Sequence, residues 1–144
     1  LMWAGSVAIN RMLNYGKTGG DWATHMIEHE LSVAYDITHG LGLAIVLPHW
    51  MEYVLDENTV DRFAMFAQNV WGISRYDRFE QAHAGIAATR MFFRSLDAAT
   101  KLSEAGIDDA QIDHMAKQAT QFGELGNLRK LGTNDVKTIL NMAL

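Results

Sequence analysis

The sequence predicts an all-α fold. Apolar residues recur at helical spacing through most of the 144 residues, and no run alternates apolar and polar residues over a convincing length. Only one proline is present to break a helix. Eight methionines, with many alanines, leucines and glutamines, add helix-favouring composition.

Taken in order, residues 2–13 read as a first helix, with Trp3, Val7, Ile9 and Leu13 spaced for burial. Residues 14–20 carry Gly16, Gly19 and Gly20 and read as a loop. Asp21 is placed to cap a second helix that reaches Tyr35, its carboxylate meeting the free N–H groups of the first turn. Residues 36–38 break the pattern. A mostly apolar helix follows over residues 39–54, and Pro48 inside it is expected to kink or divide it.

Asp56 or Asn58 starts a helix reaching Trp71, with Phe63, Phe66, Val70 and Trp71 as its apolar stripe and Gly72 closing it. Residues 77–96 form a long helix. Asp108 caps a helix through Phe122, with Gln111 at the capping-box position. After a glycine-containing loop over residues 123–132, Thr133 or Asn134 caps the last helix, which carries Val136, Ile139 and Leu140. The result is one domain of about seven helices, without repeats or low-complexity tracts.

Composition narrows the function classes. Hydrophobic residues make up 49% and charged residues 20%, as in ordinary globular domains. A net charge of -5, with no lysine–arginine block and no basic–aromatic interleaving, argues against nucleic-acid binding. The absence of cysteine excludes disulfides and thiolate chemistry and fits a cytoplasmic protein. The longest apolar run, residues 41–50, is too short for a membrane span. No Gly-x-Ser-x-Gly element marks a hydrolase. The glycines of residues 16–20 match neither dinucleotide nor phosphate-loop spacing and suit a turn better. Leu1 enters an apolar helical pattern with no polar lead-in, which reads as the middle of a longer polypeptide.

The residues that carry chemistry are histidines. His25 and His29 are four apart and share a helix face, and His39 follows the break at residues 36–38, where the chain can turn back. Rings so arranged suit a divalent metal. The spacing is not His-Glu-x-x-His, since Glu28 directly precedes His29. It leaves open an ordinary helix face with an unrelated His39, or acid–base work without a metal. Glu28 and Glu30 flank His29, either as hydrogen-bond partners of a ligand ring or as a solvated pair. His49, His83 and His114 read as packed or surface residues, and Asp108 with Asp109 as capping carboxylates.

The surrounding residues sharpen this. Gly19-Gly20-Asp21-Trp22-Ala23-Thr24-His25 runs through Met26-Ile27-Glu28-His29-Glu30-Leu31-Ser32, and Tyr35-Asp36-Ile37-Thr38 leads to His39-Gly40-Leu41-Gly42-Leu43-Ala44-Ile45-Val46-Leu47-Pro48. This stretch resembles the signature region of the iron-containing (group III) alcohol dehydrogenases, most of all their butanol-dehydrogenase branch. The helices on either side also resemble that family's C-terminal half. The broader family often has glycine and proline near the positions of Ser32 and Thr38, a departure that suits this branch and removes no ligand.

The resemblance implies the C-terminal helical, metal-binding domain of the dehydroquinate synthase-like fold over residues 1–144, without the N-terminal α/β nucleotide-binding domain. It implies a divalent ion, Fe2+ or Zn2+, with His25 and His39 as ligands. A further aspartate and histidine come from upstream in the family, and Asp21 matches neither. His29 would lie at the nicotinamide and substrate as the proton-handling residue. The implied parent enzyme interconverts primary alcohols such as butanol with aldehydes by hydride transfer to or from NADPH/NADP+. The implied partners are a small alcohol or aldehyde, the N-terminal domain and, as in many members, a second copy in a homodimer. Residues 1–144 alone are expected to be inactive. The other class in play is a helical structural or interaction module that has lost catalysis. Trp22, Trp50 and Tyr53 lie near the motif, either lining a substrate cleft or packed in the core.

Overall fold

In the computed structural model, which describes residues 1–16 and 19–144, seven α-helices form among the described residues. They are α1 (Met2–Ile9), α2 (Ala23–Tyr35), α3 (His39–Val54), α4 (Val60–Trp71), α5 (Arg78–Ser95), α6 (Ile112–Ala119) and α7 (Thr133–Met142). Short 3-10 turns occupy Met12–Asn14 and Ser103–Ala105. No strand forms among the described residues; Leu125 and Leu131 make an isolated antiparallel bridge. The all-α expectation therefore holds.

The core gathers around α3. Its Ile45, Val46, Met51 and Val54 meet Ile27 and Leu31 of α2, and the same cluster takes in Ile86 of α5, Met115 of α6 and Ile139 of α7. Helix α2 packs on α3 and α6, α3 on α5 and α7, while α4 pairs with α5 and α6 with α7. Each fully buried leucine or isoleucine contributes about 1.5–3 kcal/mol relative to exposure, so this junction holds α2 and α3 in fixed relation.

Several helix ends follow their local chemistry. Asp77 caps α5 by accepting the Glu80 N–H at 2.9 Å. Gly72 closes α4 in the left-handed conformation, φ 67°, as expected of a glycine there. Before α4, Asp56 Oδ1 accepts the Asn58 N–H at 2.8 Å, and the Thr59 hydroxyl accepts the Asp56 N–H at 2.8 Å.

The structure corrects other expectations. Helix α1 ends at Ile9 and buries nothing: Trp3, Ile9 and Leu13 are exposed, because among the described residues α1 packs mainly on the Met12–Asn14 turn. Pro48 does not divide α3, which runs unbroken from His39 to Val54. Buried Ile45, Val46, Trp50 and Met51 flank it, and this packing carries the helix across the missing N–H.

Helix α6 is shorter than residues 108–122. Asp108 Oδ1 accepts the Ala110 N–H at 3.1 Å and so shapes the preceding turn, and Gln111 makes no side-chain cap bond. At α7 neither Thr133 nor Asn134 is the cap. Asp135 Oδ2 instead reaches back to the Gly132 N–H at 2.8 Å. The expected loop at residues 14–20 includes Lys17 and Thr18, which lie outside the described residues.

Candidate metal centre

The site forms where α2 meets the start of α3. On α2, Ala23, Thr24, Ile27, Glu28 and Leu31 are buried. That burial fixes the helix rotation and leaves His25 half-buried and His29 exposed along one edge. Asp36 then adopts the left-handed conformation, φ 52°, and its N–H bonds the Ser32 carbonyl at 3.0 Å. The chain reverses, and His39 becomes the first residue of α3.

The three imidazoles come together as the spacing suggested. Ring centroids are 5.1 Å apart for His25 and His39, 5.5 Å for His29 and His39, and 6.5 Å for His25 and His29. Ligand-capable atoms of Glu28, His29 and His39 lie within 4.8 Å of one another. His25 Nδ1 is buried without a hydrogen-bond partner among the described residues. Burial pushes the His25 imidazole below its ordinary pKa, and the neighbouring His39 and His29 rings add to this against an opposing pull from Glu28. A neutral ring is the form that ligates a metal. Clustered imidazoles with an adjacent carboxylate suit a borderline divalent ion such as iron or zinc. The chemistry of these donors fits such an ion, and the group within 4.8 Å takes in the expected ligand His39 but not His25.

Glu28 is the residue that sequence reasoning undervalued. Its side chain is 0% exposed, Oε2 pairs with His39 Nδ1 and Oε1 pairs with the Ser32 hydroxyl. The same hydroxyl lies 3.1 Å from the Ile37 carbonyl, and its single proton serves one acceptor at a time. Gly42 faces this carboxylate: a Cβ there would sit 2.5 Å from Oε1 and 2.6 Å from Cγ of Glu28. The signal was available in the sequence, because Thr24, Glu28 and Leu31 share the i, i+4, i+7 face that the structure buries.

Asp21 does less for helix α2, and more elsewhere, than expected. Its Oδ1 accepts the Ala23 N–H at 2.9 Å, while Trp22 is the capping position and makes no cap bond. Its Oδ2 accepts the N–H groups of Asn127 and Leu128 at 2.7 and 2.8 Å, fastening a distant loop to the start of α2.

The aromatics separate. Trp22 stands edge-on to His25 at 5.0 Å and borders the cluster. Trp50 packs on Phe63 and lines a cavity of about 470 Å³ whose walls include Asp21, Asn58, Arg62 and Asn127 but none of the three histidines. Tyr53 donates its hydroxyl to Asp135, under the Arg129 guanidinium 5.1 Å from its ring. Burial and that bond push the Tyr53 hydroxyl up. His49 is buried with Nδ1 2.8 Å from the Ile45 carbonyl, His83 pairs with Glu52 at 3.0 Å, and His114 is exposed.

The helical corner gathers three imidazoles over a buried carboxylate. The sequence model of the Fe-containing alcohol dehydrogenase family, C-terminal, matches residues 1–144, and the chain belongs to that family. It is 47% identical over 142 residues to NADH-dependent butanol dehydrogenase A of Clostridium acetobutylicum, covering 96% of this chain and 36% of that protein. It is 36% identical to the NADPH-dependent aldehyde reductase YqhD of Escherichia coli, covering 93% of this chain and 33% of the reductase. The crystal structure of an NADH-dependent butanol dehydrogenase A from Thermotoga maritima superposes with a TM-score of 0.90 at 35% identity, covering 98% of this chain and 37% of that one. The chain thus spans little more than a third of the length of these relatives. No described helix is long and apolar enough to cross a membrane.

Proposed function

We propose that this chain provides the metal-binding helical part of a nicotinamide-dependent enzyme that interconverts primary alcohols, such as butanol, with their aldehydes. The observation that carries the reading is the convergence of His25, His29 and His39 at one corner. Butanol dehydrogenases and an aldehyde reductase among the relatives support the substrate class. In this reading an N-terminal α/β domain of the same polypeptide holds most of the dinucleotide. Turnover by residues 1–144 alone is not expected, because in the resembling family two further metal ligands and most of the dinucleotide contacts come from upstream residues. NADPH is the cofactor form favoured by the sequence reading, while two relatives named for NADH weigh toward the other form.

His25 and His39 hold the divalent ion, Fe2+ or Zn2+. Bound there, the ion supplies a Lewis acid for the alcohol or carbonyl oxygen, and the nicotinamide supplies or accepts the hydride. His29, exposed beside both rings, takes the hydroxyl proton during oxidation and returns one during reduction. Trp22, edge-on to His25, shields that ring from water on one side.

The test is steady-state turnover of butanol and butyraldehyde by the complete polypeptide, with NADPH and NADH compared. His29→Ala is expected to lower kcat by about 10²–10⁴-fold, the usual worth of a positioned acid–base group. Absence of nicotinamide-dependent turnover, or an unchanged kcat in His29→Ala, would overturn the reading.

A further inference from the structure

We propose that Glu28 is the positioning residue of the histidine corner: its buried carboxylate fixes the His39 ring through Nδ1 and leaves Nε2 with the free lone pair, and Gly42 provides the space it occupies. The inference rests on the reading of His39 as a metal ligand.

A carboxylate is rarely fully buried without a partner, since burying the charge unpaired is costly. Glu28 is 0% exposed and has two partners, which flank the reversal at residues 36–38: Ser32 on its own helix and His39 at the start of the next. The pairing with His39 sets the ring's tautomer. An ionised carboxylate only accepts, so the single proton of a neutral imidazole lies on Nδ1. Nε2 is then the nitrogen left to ligate, with the ring's orientation fixed by the carboxylate behind it. If the ring turns, the buried carboxylate keeps Ser32 at Oε1 but is left without a partner at Oε2.

Gly42 belongs to the same device. It lies one helical turn after His39 on α3, and the nearest atoms to a Cβ at this position are all Glu28 side-chain atoms, at 2.5, 2.6 and 3.0 Å. Any larger residue displaces the carboxylate from His39. The alternative role, Glu28 as a ligand itself, is separated by the Glu28→Gln substitution. The amide oxygen it introduces still accepts from His39 Nδ1, and the amide NH2 donates to Ser32, whose hydroxyl turns to the Ile37 carbonyl 3.1 Å away. Glutamine therefore preserves positioning and removes an anionic ligand.

The experiment is zinc affinity of the complete polypeptide by chelator competition, with long-range proton–nitrogen NMR of the histidine rings on the metal-free protein. His39→Ala serves as the control that zinc sits at this corner. Glu28→Ala is expected to weaken zinc binding by about 10–100-fold and to release the His39 tautomer. Glu28→Gln should keep the Nδ1–H tautomer and most of the affinity. Gly42→Ala should weaken zinc binding in the native background and add nothing in the Glu28→Ala background. Unchanged affinity and tautomer in Glu28→Ala, with binding lost in His39→Ala, would overturn the inference alone. Equal losses in Glu28→Gln and Glu28→Ala would also overturn it and mark Glu28 as a ligand. Zinc binding that survives His39→Ala would overturn the metal-site reading and the inference with it.

Discussion

Helices α1 and α3 are the most apolar of the helices by mean hydropathy, yet α3 buries residues from Gly42 to Val54 and α1 buries none. The difference lies in their neighbours. Helix α3 is packed by α2, α5 and α7, whereas among the described residues α1 meets mainly the Met12–Asn14 turn. Apolar content says that a helix gains from being covered; tertiary contacts decide whether it is. The comparison bears on function, because α3 carries His39 at its first turn and ties that ring to the core.

The strongest way to break the comparison is to remove core volume from the α2–α3 junction. Ile45→Ala is expected to cost about 2–5 kcal/mol in a denaturant titration, the range for large-to-small core changes. A cost below about 0.5 kcal/mol would place Ile45 outside a packed core.

A smaller effect is expected at Asp21. Replacing it with alanine removes the acceptor of the exposed Asn127 N–H and the part-buried Leu128 N–H, at about 0.5–1.5 kcal/mol for each bond. Hydrogen exchange at Asn127 and Leu128 should accelerate while exchange within α3 stays slow. Unchanged exchange at both amides would show that the loop does not depend on Asp21.

The comparison also has a pH arm. Burial pushes the His49 imidazole down; its bond to the Ile45 carbonyl opposes this, the Arg90 and Lys101 charges add to it, and Glu52 acts against it. With the folded pKa below the unfolded 6.5, His49 contributes stability that is full above that value and is lost as pH falls through the lowered one. Thermal melts from pH 7.5 down to 5 should show declining stability, and His49→Gln should flatten part of the slope. His25, lowered in the same direction, adds to the slope. An unaltered slope in His49→Gln would contradict the assignment. Helix α1 carries no titratable side chain and adds nothing here.

The smallest effect is expected at Trp3. With 80% of its surface exposed, Trp3→Ala should change stability by no more than about 0.5 kcal/mol. A loss comparable to that of Ile45→Ala would mean that α1 is covered after all.

The sequence made much of this fold legible through periodicity. Helical spacing located α2 to α5, and glycine at residue 72 closed α4 where its chemistry predicts, but Val70 of the expected α4 stripe is exposed, the buried face being Val60, Phe63, Ala64 and Ala67. The misses have physical causes. Periodicity gave α1 a burial that depends on a partner surface, and of the two outcomes expected at Pro48, division of α3 does not occur. Capping patterns misplaced the start of α6 because Asp108 serves a turn.

At the site, helix spacing and one reversal left the grouping of His25, His29 and His39 as one of the open readings, and the three rings do converge. The Glu28–His39 pair was not legible, because it spans eleven residues and depends on how α2 and α3 cross. Gly42 was invisible for the same reason, since its value lies in a contact with another helix.

The central claim is that the α2–α3 corner holds a metal through His25 and His39. Its most direct test is elemental mass spectrometry of the complete, untagged polypeptide beside the His25→Ala, His39→Ala double variant. The account predicts near-stoichiometric iron or zinc that disappears in the variant. Metal retained by the double variant, or none bound by the native protein after incubation with either ion, would contradict it.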